Sequence, residues 1–170
     1  MPKPHRLPAW SYRGIVSVFV TCVTHGRQTA FADPSVCEFV LADLFANCDG
    51  SIEITAHCMM PDHGHFLLTA LRDRSEIPRT IRRWKQATGY CYSTKNNRKL
   101  WQKNYWDYVL RDPDDQLAVA LYAISDPKRS GLVESLQDYP WWGSQRWTRE
   151  ELARLVIDFT FGPDRVHVVR

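Results

Sequence analysis

The feature that most constrains this chain is a pair of strand-like runs with almost nothing between them. Ile52–Met59 carries Ile52, Ile54 and Ala56 toward one side, and His63–Leu71 follows after only Met60-Pro61-Asp62. A connection that tight makes the two runs an antiparallel hairpin. Within the second run stands His63-Gly64-His65. Successive side chains of a strand point to opposite faces, so the two imidazoles share one face and Gly64 leaves the other open for close packing. Paired neutral imidazoles can hold a divalent metal; two strand histidines without a ligand are the plainer alternative.

The remaining segments fit around this hairpin. Ile15–Thr24 is rich in β-branched and aromatic residues and reads as a strand. Asp33-Pro34 is an N-cap followed by proline at the first helical position, opening a helix through about Asn47 with the stripe Val36, Phe39, Val40, Leu44 and Phe45. Asp49-Gly50 is a turn. Ile77, Ile81, Trp84 and Thr88 recur at helical spacing while Arg79, Arg82, Arg83 and Gln86 fall opposite, which describes an amphipathic helix ending at the Asn96-Asn97 loop. Tyr105–Arg111 reads as a further strand, and Asp112-Pro113 opens a helix to about Ser125, where Pro127 stops it. A tail containing Tyr139, Trp141, Trp142 and Trp147 includes a helical pattern over Thr148–Phe159. The order β-α-β-β-α-β-α is the split βαβ arrangement: an α+β, ferredoxin-like antiparallel sheet with helices on one face. Without repeats or linkers, residues 1–170 are expected to be a single domain, with 130–170 as a C-terminal aromatic-rich extension.

A chain of 170 residues buries roughly 70% of its unfolded surface and needs no disulfide or structural metal to hold a core. Its five cysteines, an odd set without CxxC spacing, fit reduced thiols buried as small hydrophobes, and they make a zinc site around His57 and Cys58 a weak alternative. The uncharged run near Ile15–His25 contains Ser17, Thr21 and Thr24 and falls short of the ~20 apolar residues that span a bilayer. Met1–Trp10 carries no pattern of an export signal. A cytoplasmic protein without a membrane partner is therefore expected.

Charge is segregated. Between Arg72 and Lys103 ten basic residues face two acids, a net of +8, whereas the whole chain nets +3, so the remainder is −5. Such a segment suits a polyanion, because each phosphate neutralised releases a condensed counterion; a solvated helix face is the plainer alternative. A metal at His63 and His65 needs a third ligand. Tyr122 and Asp126, four residues apart, lie on one helix face. Asp126 supplies a hard oxygen, and two nitrogens plus a carboxylate suit Mg²⁺ or Mn²⁺. Tyr122 is then a nucleophile beside the ion, or else a core aromatic. Glu53 is an alternative carboxylate, and His5, His25 and His167 read as ordinary exposed histidines.

The string Cys58-Met59-Met60-Pro61-Asp62-His63-Gly64-His65-Phe66-Leu67-Leu68 resembles the HUH motif of single-tyrosine transposases, MPNHxH followed by apolar residues. Trp101-Gln102-Lys103-Asn104-Tyr105-Trp106-Asp107 through Arg111-Asp112 resembles the WQxxYxDxxxRD segment of REP-associated tyrosine transposases. Tyr122 through Val133 is similar to their YIxxNPxxAGLV, and Tyr139-Pro140-Trp141 to their YPWSS. The resemblance covers about Tyr12–Ser144, in order. It implies an HUH endonuclease fold acting on single-stranded DNA with REP-like hairpins, as a monomer or homodimer. It further implies that His63 and His65 bind the metal, Asp126 completes the site, and Tyr122 attacks the scissile phosphate to leave a 5′-phosphotyrosine and a free 3′-OH. Two departures stand out: Gly64 replaces a usual Val, and Ser125-Asp126 replaces Asn-Asn.

Arg79, Arg82, Arg83, Lys85 and Lys103, with Trp101, Tyr105 and Trp106, are the candidates for gripping DNA through phosphate contacts and stacking, a place in the core being at least as plain a reading for any one of the aromatics. Two competing functions remain open at this level. One is a catalytically inactive or domesticated single-stranded nucleic-acid-binding protein on the same fold, and the other is a metal-dependent hydrolase using water.

Overall fold

The alternation inside one strand organises the molecule, seen in a computed structural model that describes residues 12, 14–48, 50–110 and 115–158. Strands β1 (Ser17–Val23), β2 (Ile52–Met60), β3 (His63–Ala70), β4 (Trp106–Leu110) and β5 (Trp142–Gly143) form one antiparallel sheet in the order β4-β1-β3-β2-β5. The hairpin is present: Met60 pairs with His63, leaving Pro61-Asp62 as the turn. β3 is the middle strand, and Phe66, Leu67 and Leu68 are all buried although they point to both faces. A strand apolar on both faces demands a cover on each.

On one face lie the helices α1 (Pro34–Asn47) and α2 (Ile77–Asn96), packing Val40, Leu44, Ile81 and Trp84 against Val18, Val20, Ile54, Phe66 and Leu68. Asp33 caps α1 by accepting from the Ser35 amide at 2.9 Å, and Asn97, with φ +52°, ends α2 in the left-handed conformation. Trp84 is fully buried, donates its indole N–H to the Val40 carbonyl at 2.9 Å and meets Phe66 edge-on. Truncating a residue so enclosed costs about 3–5 kcal/mol. The other face is covered by α3 (Asp115–Ile124) and α5 (Arg149–Asp158), whose Ala120, Leu121, Ile124 and Leu152 pack on Phe19, Ala56, Cys58 and Leu67. The ferredoxin-like α+β sheet is therefore as expected, but helices cover both of its faces rather than one.

Several local expectations are corrected. In α1 the buried seam runs through Cys37, Val40, Leu44 and the C-cap Cys48, while Phe39 and Phe45 are exposed, because the indole of Trp84 fills the space between the helices and small residues suffice opposite it. A bulge between Ile54 and Ala56 adds Thr55 to β2, so Ala56 faces the α3 layer and Ile54 the α1 layer. The helix after β4 ends at Ile124, and Pro127 begins a second turn, α4 (Asp126–Arg129), instead of only stopping the first. Cys91 is exposed while the other four cysteines are buried. Residues from the 130–170 segment are part of the body: β5 adds a fifth strand to the β2 edge, and Trp142 is buried with its N–H on the Leu136 carbonyl. The Asp112-Pro113 helix start, the Met1–Trp10 segment, His5 and His167 lie outside the described residues.

Gly64 is filled from outside. A Cβ there would lie 2.8 Å from the Phe66 ring and 2.9 Å from the Met59 sulfur, both fully buried. Gly64→Ala is expected to destabilise the fold by about 1–3 kcal/mol through overpacking, read as a lowered midpoint in urea denaturation; a midpoint equal to that of the parent chain would contradict this packing.

Candidate metal and nucleophile site

The hairpin turn and strand alternation bring His63 and His65 to the face covered by α3, and Ser125, itself in helical conformation, carries the chain from α3 into α4 so that Asp126 lies beside them. His63 Nε2 and His65 Nε2 are 3.2 Å apart, and each is 3.2 Å from the same oxygen, Asp126 Oδ2. Every outer atom of this cluster is held. His63 Nδ1 meets Asp62 Oδ1 at 2.6 Å, His65 Nδ1 meets Thr21 Oγ1 at 2.9 Å, and Asp126 Oδ1 accepts from Arg129 at 2.8 Å. Fixing the far ring nitrogen sets which nitrogen is free to ligate, as in known metal sites. The donor set of two imidazoles and a carboxylate fits a divalent cation with open positions.

Electrostatics agree with that geometry. Burial alone would raise the Asp126 carboxyl, but hydrogen bonds from His63 and His65 and the nearby Arg129 charge hold it well below the usual carboxylate range. Burial works against charge on His63 too, yet Asp126 and Asp62 raise it, whereas His65, more deeply enclosed, is lowered. Asp126 is thus held as a carboxylate, the form that ligates a cation, and a divalent ion would compete with the proton that the two aspartates favour on His63.

Tyr122 stands beside the cluster. Its ring centroid is 6.4 Å from that of His65 and 6.2 Å from that of Phe19, and the Arg129 guanidinium lies 4.1 Å from the ring centroid. Tyr122 and Asp126 fall in successive helical segments, α3 and α4, which Ser125 joins in helical conformation with its N–H on the Leu121 carbonyl at 3.1 Å, so the expected one-turn spacing is kept, and Arg129 touches both. Arg129, Thr21 and Asp62 join the site without having been expected there. Arg129 is signalled in the sequence by its i+3 spacing from Asp126, but Thr21 meets His65 only through strand register. Glu53 is elsewhere, paired with Arg146 at 2.8 Å. His57 and Cys58 point to opposite faces, His57 under Phe45 and Cys58 into the α3 layer, so they form no common site.

The basic residues divide into two sets. Arg79, Arg82, Arg83 and Lys103 are exposed, and Arg82, Lys85, Lys99 and Lys103 line a groove of about 630 Å³ between α2 and the 99–105 segment. Lys85 is half-buried and donates to the carbonyls of Gln102 and Asn104 at 3.0 and 2.8 Å, which ties that segment to the helix. Trp101, expected as a stacking residue, is buried, with its N–H on Thr88 Oγ1 at 2.9 Å and its ring against Phe31 and Trp84. Its apolar area serves the core.

Residues 17–110 match the family described as "Transposase IS200 like". This chain belongs to the IS200-like transposase family. The transposase is similar to an Escherichia coli K12 REP-associated tyrosine transposase, 25% identical over 92 residues and 54% of each chain. A Haemophilus influenzae protein provisionally given the same name is 25% identical over 145 residues, 79% of this chain and 82% of the relative. A solved REP-associated tyrosine transposase bound to a REP hairpin superposes with a TM-score of 0.70 at 19% identity, covering 95% of this chain and 93% of that one, which establishes the shared fold. Among the described residues, no helix is long and apolar enough to cross a membrane.

Calorimetric titration with Mn²⁺ tests the cluster. The parent chain should bind the ion and His63→Ala should abolish binding, while Thr21→Val, which frees His65 Nδ1, should weaken it about 10–100-fold. Equal affinity in parent and His63→Ala would remove the metal assignment.

Proposed function

We propose that this transposase binds single-stranded DNA carrying REP-like hairpins, and cleaves and rejoins it through Tyr122. The observation that supports this reading is the convergence of His63, His65 and Asp126 on one point with the Tyr122 ring beside it. Mg²⁺ or Mn²⁺ held there would supply positive charge against the non-bridging phosphate oxygens. His63, His65 and Asp126 hold the ion, and Asp62, Thr21 and Arg129 keep those three in position. Arg129 also lies over the Tyr122 ring, where a cation favours negative charge developing on the phenol oxygen. In the attack, the Tyr122 oxygen bonds to phosphorus, the bond to the 3′ oxygen breaks, and the proton lost by the phenol is balanced by the one gained on the 3′-OH. The phosphotyrosine keeps the diester energy, so a second 3′-OH can attack it and rejoin DNA without ATP.

Phosphate contacts are assigned to Arg79, Arg82, Arg83 and Lys103, with Lys85 anchoring the groove wall. The Escherichia coli relative carries a REP-associated name, and the solved neighbour was captured with a REP hairpin, which supports a hairpin as the structured part of the substrate. Residues 1–170 act as one domain in this reading, since β5 and α5 complete the sheet and its second layer. A nucleoid location in the cytoplasm follows from such a substrate.

Tyr122→Phe removes only the hydroxyl. Incubated with hairpin oligonucleotides and Mn²⁺, the parent should give a protein-DNA adduct that survives denaturation, and Tyr122→Phe should bind the same DNA without forming it. An adduct in the variant would move the nucleophile to another tyrosine; cleavage without any adduct would favour hydrolysis by water, and binding without cleavage a domesticated DNA-binding protein. Asp126→Asn, which restores the residue usual in the family, should keep cleavage, whereas Asp126→Ala should lower it.

Charge reversal at Arg82 and Arg83 to Glu should weaken binding similarly across sequences. It should also flatten the salt dependence, the slope of log affinity against log salt falling by roughly one for each phosphate no longer neutralised, measured by anisotropy at several salt concentrations. A loss confined to one target sequence would point to base readout instead.

A further inference from the structure

The β4 strand has two very different sides. Val109 points into the α1–α2 core, and on that same side Asp107 accepts a hydrogen bond from Tyr12. Toward the other side, strand register aligns Trp106 with Thr21, and Thr21 in turn with His65; Tyr108 aligns with Phe19, which packs against Tyr122. Residues directly opposite in an antiparallel pair share a face. Trp106 and Tyr108 therefore stand on the same face as the metal cluster, Trp106 in the same row as His65, about 10 Å or two strand spacings away. They remain 42% and 45% exposed, whereas their row neighbours Phe19 and His65 are buried.

Two large rings held open at the sheet edge in line with the chemistry call for a flat, partly apolar ligand. An apolar protein surface fits poorly, because the row between the rings and the cluster is interrupted by the polar Thr21, and Arg129 beside Tyr122 brings a charge to that face. Unpaired bases fit well. Two rings at successive same-face positions, about 6.7 Å apart, offer stacking area that any unpaired base can use, since every base has a π-face.

We infer that Trp106 and Tyr108 form a stacking shelf for the unpaired bases of single-stranded DNA leading to the cluster of His63, His65 and Asp126. This rests on the function proposed above and adds the path of the single strand: the basic groove beside α2 takes phosphates on one side of β4, and the shelf takes bases on the other.

The test uses the full chain, fluorescein-labelled oligo(dT), and the same strand annealed to oligo(dA), with affinities read by anisotropy in the absence of metal. The Trp106→Ala, Tyr108→Ala double variant should bind oligo(dT) about tenfold more weakly, as expected for loss of base stacking, with duplex binding unchanged. The Trp106→Phe, Tyr108→Phe double variant should bind oligo(dT) as the parent does, since a ring remains at each position. If the alanine pair binds oligo(dT) like the parent, or if duplex binding falls in parallel, the shelf is wrong and the transposase reading stands. If the parent binds neither oligonucleotide, the DNA-binding reading fails and takes the shelf with it.

Discussion

Everything in this molecule hangs on the pairing of β3 between β1 and β2. That strand is enclosed on both edges, so its backbone groups are fully spent in the sheet and its side chains must serve two layers at once. Gly64, Phe66 and Leu68 belong to the layer beneath α1 and α2; His63, His65 and Leu67 belong to the layer beneath α3. A one-residue slip would exchange the two sets and put both imidazoles into an apolar core. The apolar packing of Phe66 against Trp84 thereby fixes the orientation of the polar cluster on the opposite side.

The cluster is also a matter of charge balance. A carboxylate at position 126, where the transposase pattern this stretch resembles has an amide, brings an added negative charge next to two imidazoles. Here that charge is divided: one oxygen faces the imidazoles and the other is held by Arg129, which also overlies Tyr122. The substitution is therefore compensated within its own helical turn. Arg129 links the ligand and the proposed nucleophile mechanically, since moving its guanidinium would loosen both.

Much of this is legible in the sequence because the signals are local. The Asp33-Pro34 cap, the Ile77, Ile81, Trp84 and Thr88 stripe and the convergence of His63 with His65 follow from periods of two and 3.6 residues, and the structure agrees with each. Long-range geometry is harder to read. The Thr55 bulge moves Ala56 to the other core without any glycine or proline to mark it. Trp101 looks like a DNA-facing aromatic until the bridge between Trp101 and Thr24 draws it inward. Thr21 becomes a partner of His65 only once β1 and β3 are aligned, and the helical segment that follows Ser125 is hidden because Pro127 is compatible with both the end of one helix and the start of another.

The close fit of Gly64 against Phe66 has a consequence for how such a sequence can change. The Phe66 ring and the Met59 sulfur fill the space that a side chain at position 64 would need. Neither residue is optimal alone: a larger residue at 64 collides with the ring, and a smaller one at 66 leaves a void. Their effects on stability are thus coupled rather than additive, and a larger residue between the two histidines is accommodated only if position 66 changes with it. A glycine that looks like a loss when its position is read singly is, in this chain, one half of a packed pair.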